Sequence, residues 1–477
     1  MYKMFQKYCE ISGPIVMIGY GSIGKGTLPL LKRHINFDYS QLVVIDPKQN
    51  ISGDFKHVPI GLTPTNFQEI LNKYIIPNSG FCINLSVDVS SMEIIKYCRG
   101  KNVPYIDASI EMWKGDYSDN NVDRSLRTNY SLHELFLQEK KLHPKGPTIV
   151  TCCGANPGMV SWFVKKALMI LSKDILNDQT EPVNRKEWGL LMQKLKVKGI
   201  HIAERDTQYR NKPKPPNTFI NTWSVEGFIS ESFQPAELGW GTHEKKLPHD
   251  AHTYKEGCQS SIWLDRIGAS TRVLTWCPTL GQQYGFLVTH NESISISDYF
   301  TVGDKSKPIY RPTCHYAYHP CNDSILSLHE ILGTGKTQDN FHILDASEIT
   351  DGIDELGVLL YGHSKNALWF GSRLSNKETK QLAPYQNATG LQVTSAILAG
   401  IVWAVENPGK GLVEADEMDY KRCLEIQTPY LGPVESHYTD WNPLSNLYDK
   451  TLGKRRDWDA KVLDNEDPWQ FQNIIEK

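Results

Sequence analysis

The 477-residue sequence predicts an α/β protein of two domains: a doubly wound parallel sheet, followed by an α+β domain built on a mostly antiparallel sheet. Three observations predict it. Through the first third, short β-branched runs alternate with longer helical patterns, as parallel βαβ units require. A glycine-rich turn joins the first of those strands to the first helix. Beyond Asn156-Pro157-Gly158 the rhythm changes to many strands with few helices between them.

Taken in order, the apolar run Pro14-Ile-Val-Met-Ile-Gly19 is a buried strand, Ser22 to His34 a helix, and Gln41-Leu-Val-Val-Ile-Asp46 the second strand. Runs at 81–85, 103–107 and 148–152 continue the sheet, with helical patterns over 91–98 and 132–141 between them. A helix over Met159 to Leu171 then leaves it. The runs 196–203, 218–223, 260–264, 271–276, 286–289, 341–344, 357–361 and 367–370 suit the antiparallel sheet, and the polar stretches 212–216 and 239–250 are linkers. Leu391 to Val405 is apolar but contains Gln392, Thr394 and Ser395 and falls short of the roughly 20 residues that span a bilayer. It reads as a buried helix returning to the first domain. The expected division is therefore 1–155 with 380–477 against 156–379.

With 51 basic against 54 acidic side chains the net charge is −3, which gives the chain no general attraction for nucleic acid or a membrane surface. Forty per cent apolar content in a chain this long excludes disorder. Ten cysteines without a Cys-x-x-Cys pair fall far below disulfide-scaffold density and suit a reducing cytoplasm. Met1 to Ser12 holds Lys3, Lys7 and Glu10 but no apolar run of signal length.

Gly19-Tyr-Gly21-Ser22-Ile23-Gly24 comes directly after the first strand and opens the helix, the context a dinucleotide fingerprint requires. Gly19 makes the tight turn, Gly21 lets the backbone approach a pyrophosphate, and Gly24 permits close helix–strand packing. Ser22 and Ile23 present the helix N-terminus to the anion. Asp46 closes the second strand 22 residues after Gly24, near the spacing of about 20 expected for a carboxylate on a ribose 2′-hydroxyl. Its charge repels a 2′-phosphate, so the motif predicts a Rossmann-type sheet that binds NAD rather than NADP. Ligands sit beyond the carboxyl ends of such strands. That nominates Asn84, Ser86 and Asp88, then Ala108 and Ser109, then Gly154, Ala155 and Asn156.

With the Asp107-Ala-Ser turn, the Cys153-Gly-Ala-Asn-Pro-Gly158 turn and the Asn387-Ala-Thr-Gly390 helix start, these features resemble the saccharopine dehydrogenase-like superfamily. Asp107-Ala-Ser-Ile-Glu-Met-Trp113, Ile202-Ala-Glu-Arg-Asp-Thr-Gln208, Asn221-Thr-Trp-Ser-Val-Glu-Gly227 and Thr289-His290 narrow the likeness. Over essentially its whole length the chain is similar to the bacterial homospermidine synthase family. The resemblance implies a reaction in which NAD oxidises an amine-bearing carbon of putrescine to an imine, a second putrescine displaces ammonia, and the same NADH reduces the new imine. It places Glu111, Asn156, Glu204, Trp223, Glu231 and His290 at catalytic positions, and Asp88 with Glu111, Glu204, Trp223 and Glu231 at substrate-binding ones. It further implies small diamines as partners, putrescine first with spermidine as a further candidate, a homodimer, and no metal.

The residue types suit that chemistry independently. A diamine enters as a dication, and burying its ends is costly unless each meets a carboxylate or an aromatic face. Glu111, Glu204 and Glu231 supply the first and Trp223 the second. Hydride leaves only from carbon beside a neutral amine, so one ammonium must lose its proton to a carboxylate or to His290. Which group accepts it stays open in the sequence; taken alone, a tryptophan such as Trp223 is more often core, and a strand-end histidine such as His290 more often a satisfied structural residue than a catalyst.

Two other signals are set aside. Cys314-His315-Tyr-Ala-Tyr-His319-Pro-Cys321 lacks zinc-finger spacing. Gly333-Thr-Gly-Lys-Thr337 has Glu330 at the place of the first phosphate-loop glycine and reads as a turn. The charged run Lys450 to Lys461 reads as a solvated surface, with Trp441, Trp458 and Trp469 as packing or dimer contacts. Two rival functions remain: a net oxidoreductase making saccharopine or a carboxypolyamine, which needs Arg or Lys clamps for a substrate carboxylate, and a non-catalytic NAD-binding protein.

Overall fold

The structure, a computed structural model, describes residues 5–119, 121–445 and 463–476 and the short backbone strands Tyr448–Asp449 and Gly453–Lys454. The side chains of the run 450–461, Trp458 among them, lie outside the described residues.

Seven parallel strands form the first sheet, in the spatial order Leu412–Glu414, Ile149–Thr151, Tyr105–Asp107, Phe81–Asn84, Ile15–Ile18, Leu42–Ile45, Lys56–Val58. Apolar runs buried on both faces make the inner strands, as a doubly wound sheet demands. The order reverses at Ile15–Ile18, whose last residue is level with Ile45 on one side and Asn84 on the other. Gly19, Asp46 and Leu85 therefore stand together at one edge, and the crevice of the topological switch point opens there. The helix Ser22–His34 follows at once. Its last turn carries Lys32, Arg33 and His34, charges that suit a helix C-terminus.

The second sheet runs Ala251–Thr253, Ser261–Ile267, Pro235–Gly239, Thr313–His319, Gly199–Asp206, Ile353–His363, Asn366–Ser375, Val434–Thr439, and Arg272–Cys277 and Gly281–Phe286 pair beside Thr313–His319. It is antiparallel except where Thr313–His319 lies parallel to Gly199–Asp206. Two expectations shift here. The apolar run 286–289 is not a strand; the strand is the more polar Gly281–Phe286, and the residues after it form the loop that delivers His290. The runs 218–223 and 341–344 leave this sheet too: Thr218–Asn221 and Asn340–Ile343 pair parallel in a two-stranded sheet of their own. The stretch holding Cys314 and His315 is a central strand. Its alternation sends Cys314, Tyr316 and Tyr318 to one face and His315 and His319 to the other, so the paired Cys and His cannot converge on one ion.

Ala388–Glu406 is the spine of the molecule, buried along most of its length between the layers. It packs against Ser22–His34 and Tyr420–Gln427, and Gly400 lets it lie close on the first sheet: a Cβ there would lie 2.5 Å from Cys153 Sγ and 2.6 Å from Ile106 Cδ1. Asn387 caps its start, accepting from Gly390 N at 2.7 Å. The same side chain donates to Thr222 O at 2.6 Å and Leu344 O at 3.0 Å, which ties the helix to the loop carrying Trp223.

After this helix Leu412–Glu414 joins the first sheet, while Val434–Thr439 pairs with Asn366–Ser375 in the second. Trp441, Trp469 and Phe471 pack in the core of that second sheet. The tail from Val434 thus crosses back, instead of staying with the first sheet as the 380–477 boundary expects. Its apolar groups fill a gap that periodicity along the chain does not reveal.

One buried carboxylate joins the two halves on the side facing the crevice. Glu237 accepts the first free backbone N–H groups of the helix Asn129–Leu142, from Asn129 at 3.0 Å and Tyr130 at 3.1 Å, along with the hydroxyls of Tyr254 and Thr289. Asn129 Nδ2 also reaches Thr289 Oγ1 at 3.0 Å.

Candidate active site

A cavity of about 980 Å3 occupies the crevice. Its floor is the fingerprint. Gly19 has φ +88°, and a Cβ there would meet the Leu85 and Ser86 backbone at 2.7 Å; a Cβ on Gly24 would lie 2.5 Å from Gly19 O. A Cβ on Gly21, by contrast, would meet nothing within 4 Å and would point into open space. The helix begins there with no side-chain cap. Its first N–H groups, at Ser22 and Ile23 in the cavity wall, are thus free for an anion. Asp46 is braced by Tyr20 N at 2.6 Å and Lys48 N at 2.9 Å and faces the same space. These residues fit a dinucleotide.

Asn84, Ser86, Asp88, Ala108, Ser109, Gly154, Ala155 and Asn156 all line the cavity, as their strand-end positions predict. Asn84 is also structural: its Oδ1 accepts from Ser86 Oγ at 2.6 Å and its Nδ2 donates to Tyr105 OH at 3.1 Å.

The second sheet and its loops close the other side, where Glu111, Glu204, Trp223, Glu231 and His290 meet. Glu204 lies on the central strand Gly199–Asp206. It accepts hydrogen bonds from Tyr316 OH and from Asn156 Nδ2 at 3.3 Å. Burial pushes its carboxyl up to about 7, and the Tyr316 bond opposes the rise without cancelling it. Two further carboxyls crowd it. Asp206 is raised to about 6 by burial despite bonds from Gln208 and Thr222, and Asp354, cross-strand from Asp206, is raised by burial and by Glu204 and Asp206. Thr389 on the spine helix donates to Asp354.

Trp223 has its indole plane fixed by Nε1–H donating to Tyr318 OH at 3.1 Å and by Phe228, 5.4 Å away between centroids. Glu231 sits on the helix Val225–Phe233 and His290 on the loop beyond Phe286. His290 Nε2 is 3.0 Å from Glu231 Oε2, and His290 Nδ1 is 3.1 Å from Glu292 Oε1. Burial disfavours the imidazolium, but Glu292 and Glu231 outweigh it and hold this ring well above its ordinary range. Glu111 receives hydrogen bonds from Ser109 Oγ at 3.1 Å and Tyr117 OH at 3.4 Å, and burial followed by repulsion from Glu231 pushes it up to about 8.

Beyond one aromatic alternation, the sequence holds no local signal for Tyr316, Tyr318, Asp354, Thr389 or Glu292. Each acts through a contact far along the chain or, for Glu292, from inside a helix start. Only the aromatic alternation Tyr316-Ala-Tyr318 hinted at a face turned to the site.

Among the described residues, the cavity wall holds seven carboxylates, Asp46, Asp88, Glu111, Asp116, Glu204, Glu226 and Glu231, against Lys114 and His290 as the basic side chains. Elsewhere His133, Cys258 and Asp298 approach within 4.8 Å of one another. Their charges are already paired, with Arg185 2.9 Å and Lys305 3.1 Å from Asp298 and Glu414 2.8 Å from His133. That cluster is a buried ion-pair knot.

Two family profiles match the chain: the saccharopine dehydrogenase NADP binding domain over residues 15–150 and the saccharopine dehydrogenase C-terminal domain over residues 154–440. A homospermidine synthase of Mesorhizobium japonicum is 55% identical over 479 aligned positions, covering 98% of this chain and 97% of that one. One from Blastochloris viridis is 55% identical over 476, covering 98% of each. The crystal structure of homospermidine synthase from Legionella pneumophila in complex with NAD superposes with a TM-score of 0.89 at 40% identity, over 98% of both chains.

Proposed function

The chain belongs to the homospermidine synthases, within the saccharopine dehydrogenase-like superfamily, and on that premise we propose how its cavity makes homospermidine from two putrescines. The observation that carries the reading is the lining: seven carboxylates and two indoles, Trp113 and Trp223, against one lysine and one histidine. Such a wall takes an alkyl dication. It disfavours the carboxylated substrates of a saccharopine-type oxidoreductase, which need cationic clamps.

NAD is the cofactor, and when bound it supplies the hydride acceptor that later becomes the donor. Gly21 leaves it room, the N-terminus at Ser22 takes its pyrophosphate, and Asp46 takes a ribose hydroxyl where a 2′-phosphate would be repelled. Glu204 is the proton acceptor for the amine that is to be oxidised, because a carboxyl near 7 exchanges a proton readily at neutral pH. Asn156 and Tyr316 hold it in place. Trp223 covers the iminium carbon with its π face, a contact of about 2 kcal/mol when desolvated. His290, kept cationic between Glu231 and Glu292, returns protons instead of taking them. Asp88 and Glu111 anchor the far ammonium.

A homodimer, a cytoplasmic location and spermidine as a further amine belong to the same proposal. All ten cysteines are free thiols, which suits a reducing compartment. The chain divides for function at the Asn156 turn, with the cofactor half re-entered by Ala388–Glu406 and Leu412–Glu414.

Purified protein incubated with putrescine and NAD should yield homospermidine and ammonia in equal amounts with no lasting NADH absorbance. Steady accumulation or consumption of NADH would indicate the oxidoreductase, and silence with retained NAD binding a non-catalytic protein.

A further inference from the structure

His290 is held from two sides by Glu231 and Glu292, and a third arrangement fixes the backbone that carries it. The residue before it, Thr289, is buried; its hydroxyl donates to Glu237 Oε2 at 3.2 Å and accepts from Asn129 Nδ2 at 3.0 Å. Asn129 starts the helix Asn129–Leu142 in the half built on the first sheet, whereas Glu237 lies on the strand Pro235–Gly239 of the second. The three side chains close a ring across the boundary between the halves. Glu237 is buried, and each of its oxygens takes one backbone N–H, Oε2 from Asn129 and Oε1 from Tyr130. Tyr254 OH, 3.0 Å from Oε1, adds a further donor, and its ring stacks on Tyr130 with centroids 3.7 Å apart. An amide cannot take this place: in either orientation a glutamine would set its NH2 group against a backbone N–H. The same helix start stands behind Glu111. Arg127 Nη1 donates to Tyr117 O at 3.0 Å, and Tyr117 OH reaches Glu111 Oε2 at 3.4 Å.

We propose that Glu237 is a positioning residue for the reaction: through Thr289 it fixes His290 relative to the half that holds the cofactor. It acts from behind the cavity wall. The inference rests on the reading of His290 as the group that returns protons. Proton transfer needs donor and acceptor within hydrogen-bond reach, and a small displacement of a catalytic group is enough to slow it. The carboxylate ties the backbone just before His290 to the helix start just after the loop of Glu111, so the two sides of the cavity keep one spacing. A tie that served the fold alone would lower the melting temperature and the yield of NAD-loaded protein, yet leave each loaded site turning over at the parental rate. A tie that aims His290 slows the loaded sites themselves.

The test compares Glu237→Gln with the milder Thr289→Val, which removes the hydroxyl at nearly constant volume, both as full chains loaded with NAD. Assays run at pH 8, above the value of about 7 to which burial pushes Glu237, so that the carboxylate is the form compared. Homospermidine formed from putrescine is counted per NAD-bearing site. Each variant should lower kcat about tenfold, the loss of one hydrogen bond to a charged group, with KM for putrescine within about twofold. Thr289→Ser, which keeps the hydroxyl, should stay within about threefold of the parent. In a His290→Gln background, itself slow, Glu237→Gln and Thr289→Val should each cost less than about twofold more, because the group they aim is gone. Should Glu237→Gln fail to fold, Thr289→Val decides alone. An unchanged kcat per loaded site in Thr289→Val, or a full tenfold cost added to that of His290→Gln, would reduce Glu237 to a tie within the fold and overturn the proposal. A His290→Gln protein that turns over like the parent would instead defeat the reading of His290 on which the inference rests.

Discussion

Replacing Glu204 by Gln tests the buried carboxyl cluster through two quantities that should move in opposite directions. The rise of this carboxyl from 4.5 to about 7 corresponds to about 3 kcal/mol at 1.36 kcal/mol per pH unit. Because the folded protein favours the neutral acid, that contribution is fully present below 4.5 and is lost as pH rises through about 7. The amide is neutral at every pH and relieves Asp206 and Asp354 of a neighbouring charge. Glu204→Gln should therefore melt a few degrees higher than the parent at pH 8, with the gain vanishing near pH 4.5. Turnover should go the other way. The variant loses the group that pairs with a desolvated ammonium and takes its proton, so kcat/KM should fall about 10²- to 10³-fold. Thermal melts at several pH values and steady-state kinetics on the same preparations read both. A variant that keeps kcat/KM within about threefold, or that melts lower at pH 8, would refute the reasoning.

Trp223→Ala should lower kcat about 30-fold, the worth of a desolvated cation–π contact of about 2 kcal/mol, while NAD affinity measured by fluorescence titration stays within about twofold. Gly21→Ala should weaken NAD at least about tenfold without changing the melting temperature, because its Cβ meets only open space. Gly24→Ala should lower the melting temperature, because its Cβ would lie 2.5 Å from Gly19 O. Glu292→Gln removes one of the two anions that keep His290 charged, so the alkaline limb of the kcat profile should move to lower pH, whereas an unmoved limb would remove His290 from the proton path.

The inner strands of the first sheet were legible because their signals are local, whereas its two edge strands, Lys56–Val58 and Leu412–Glu414, carry no such signal. The run Ile15–Ile18, the glycine turn, the helix Ser22–His34 and Asp46 lie within a single βαβ unit, and each is dictated by neighbours a few residues away. The helices Met159–Leu171 and Ala388–Glu406 showed themselves through length and apolar content. The second sheet was less legible. Gly281–Phe286 is strand because it pairs with Arg272–Cys277, not because Gly-Gln-Gln-Tyr-Gly-Phe favours strand, and the apolar residues just after it drew the reading off by several positions. Val434–Thr439 crosses to the second sheet for a partner more than 60 residues earlier. The catalytic side shows the same limit. Glu204 stood out by following a buried run, but nothing local shows that Tyr316 donates to it, that Asp354 crowds it, or that Thr389 braces Asp354. Those contacts exist only once three separate segments are packed.

In the proposed reaction two electrons leave one putrescine and come back to its product within a single cavity. Putrescine deuterated at both amine-bearing carbons, turned over with unlabelled NAD and a pool of unlabelled NADH, measures it directly by mass spectrometry of the product. The account predicts homospermidine that keeps every deuterium. Homospermidine lacking one deuterium, with that label found in the free nicotinamide pool, would contradict it.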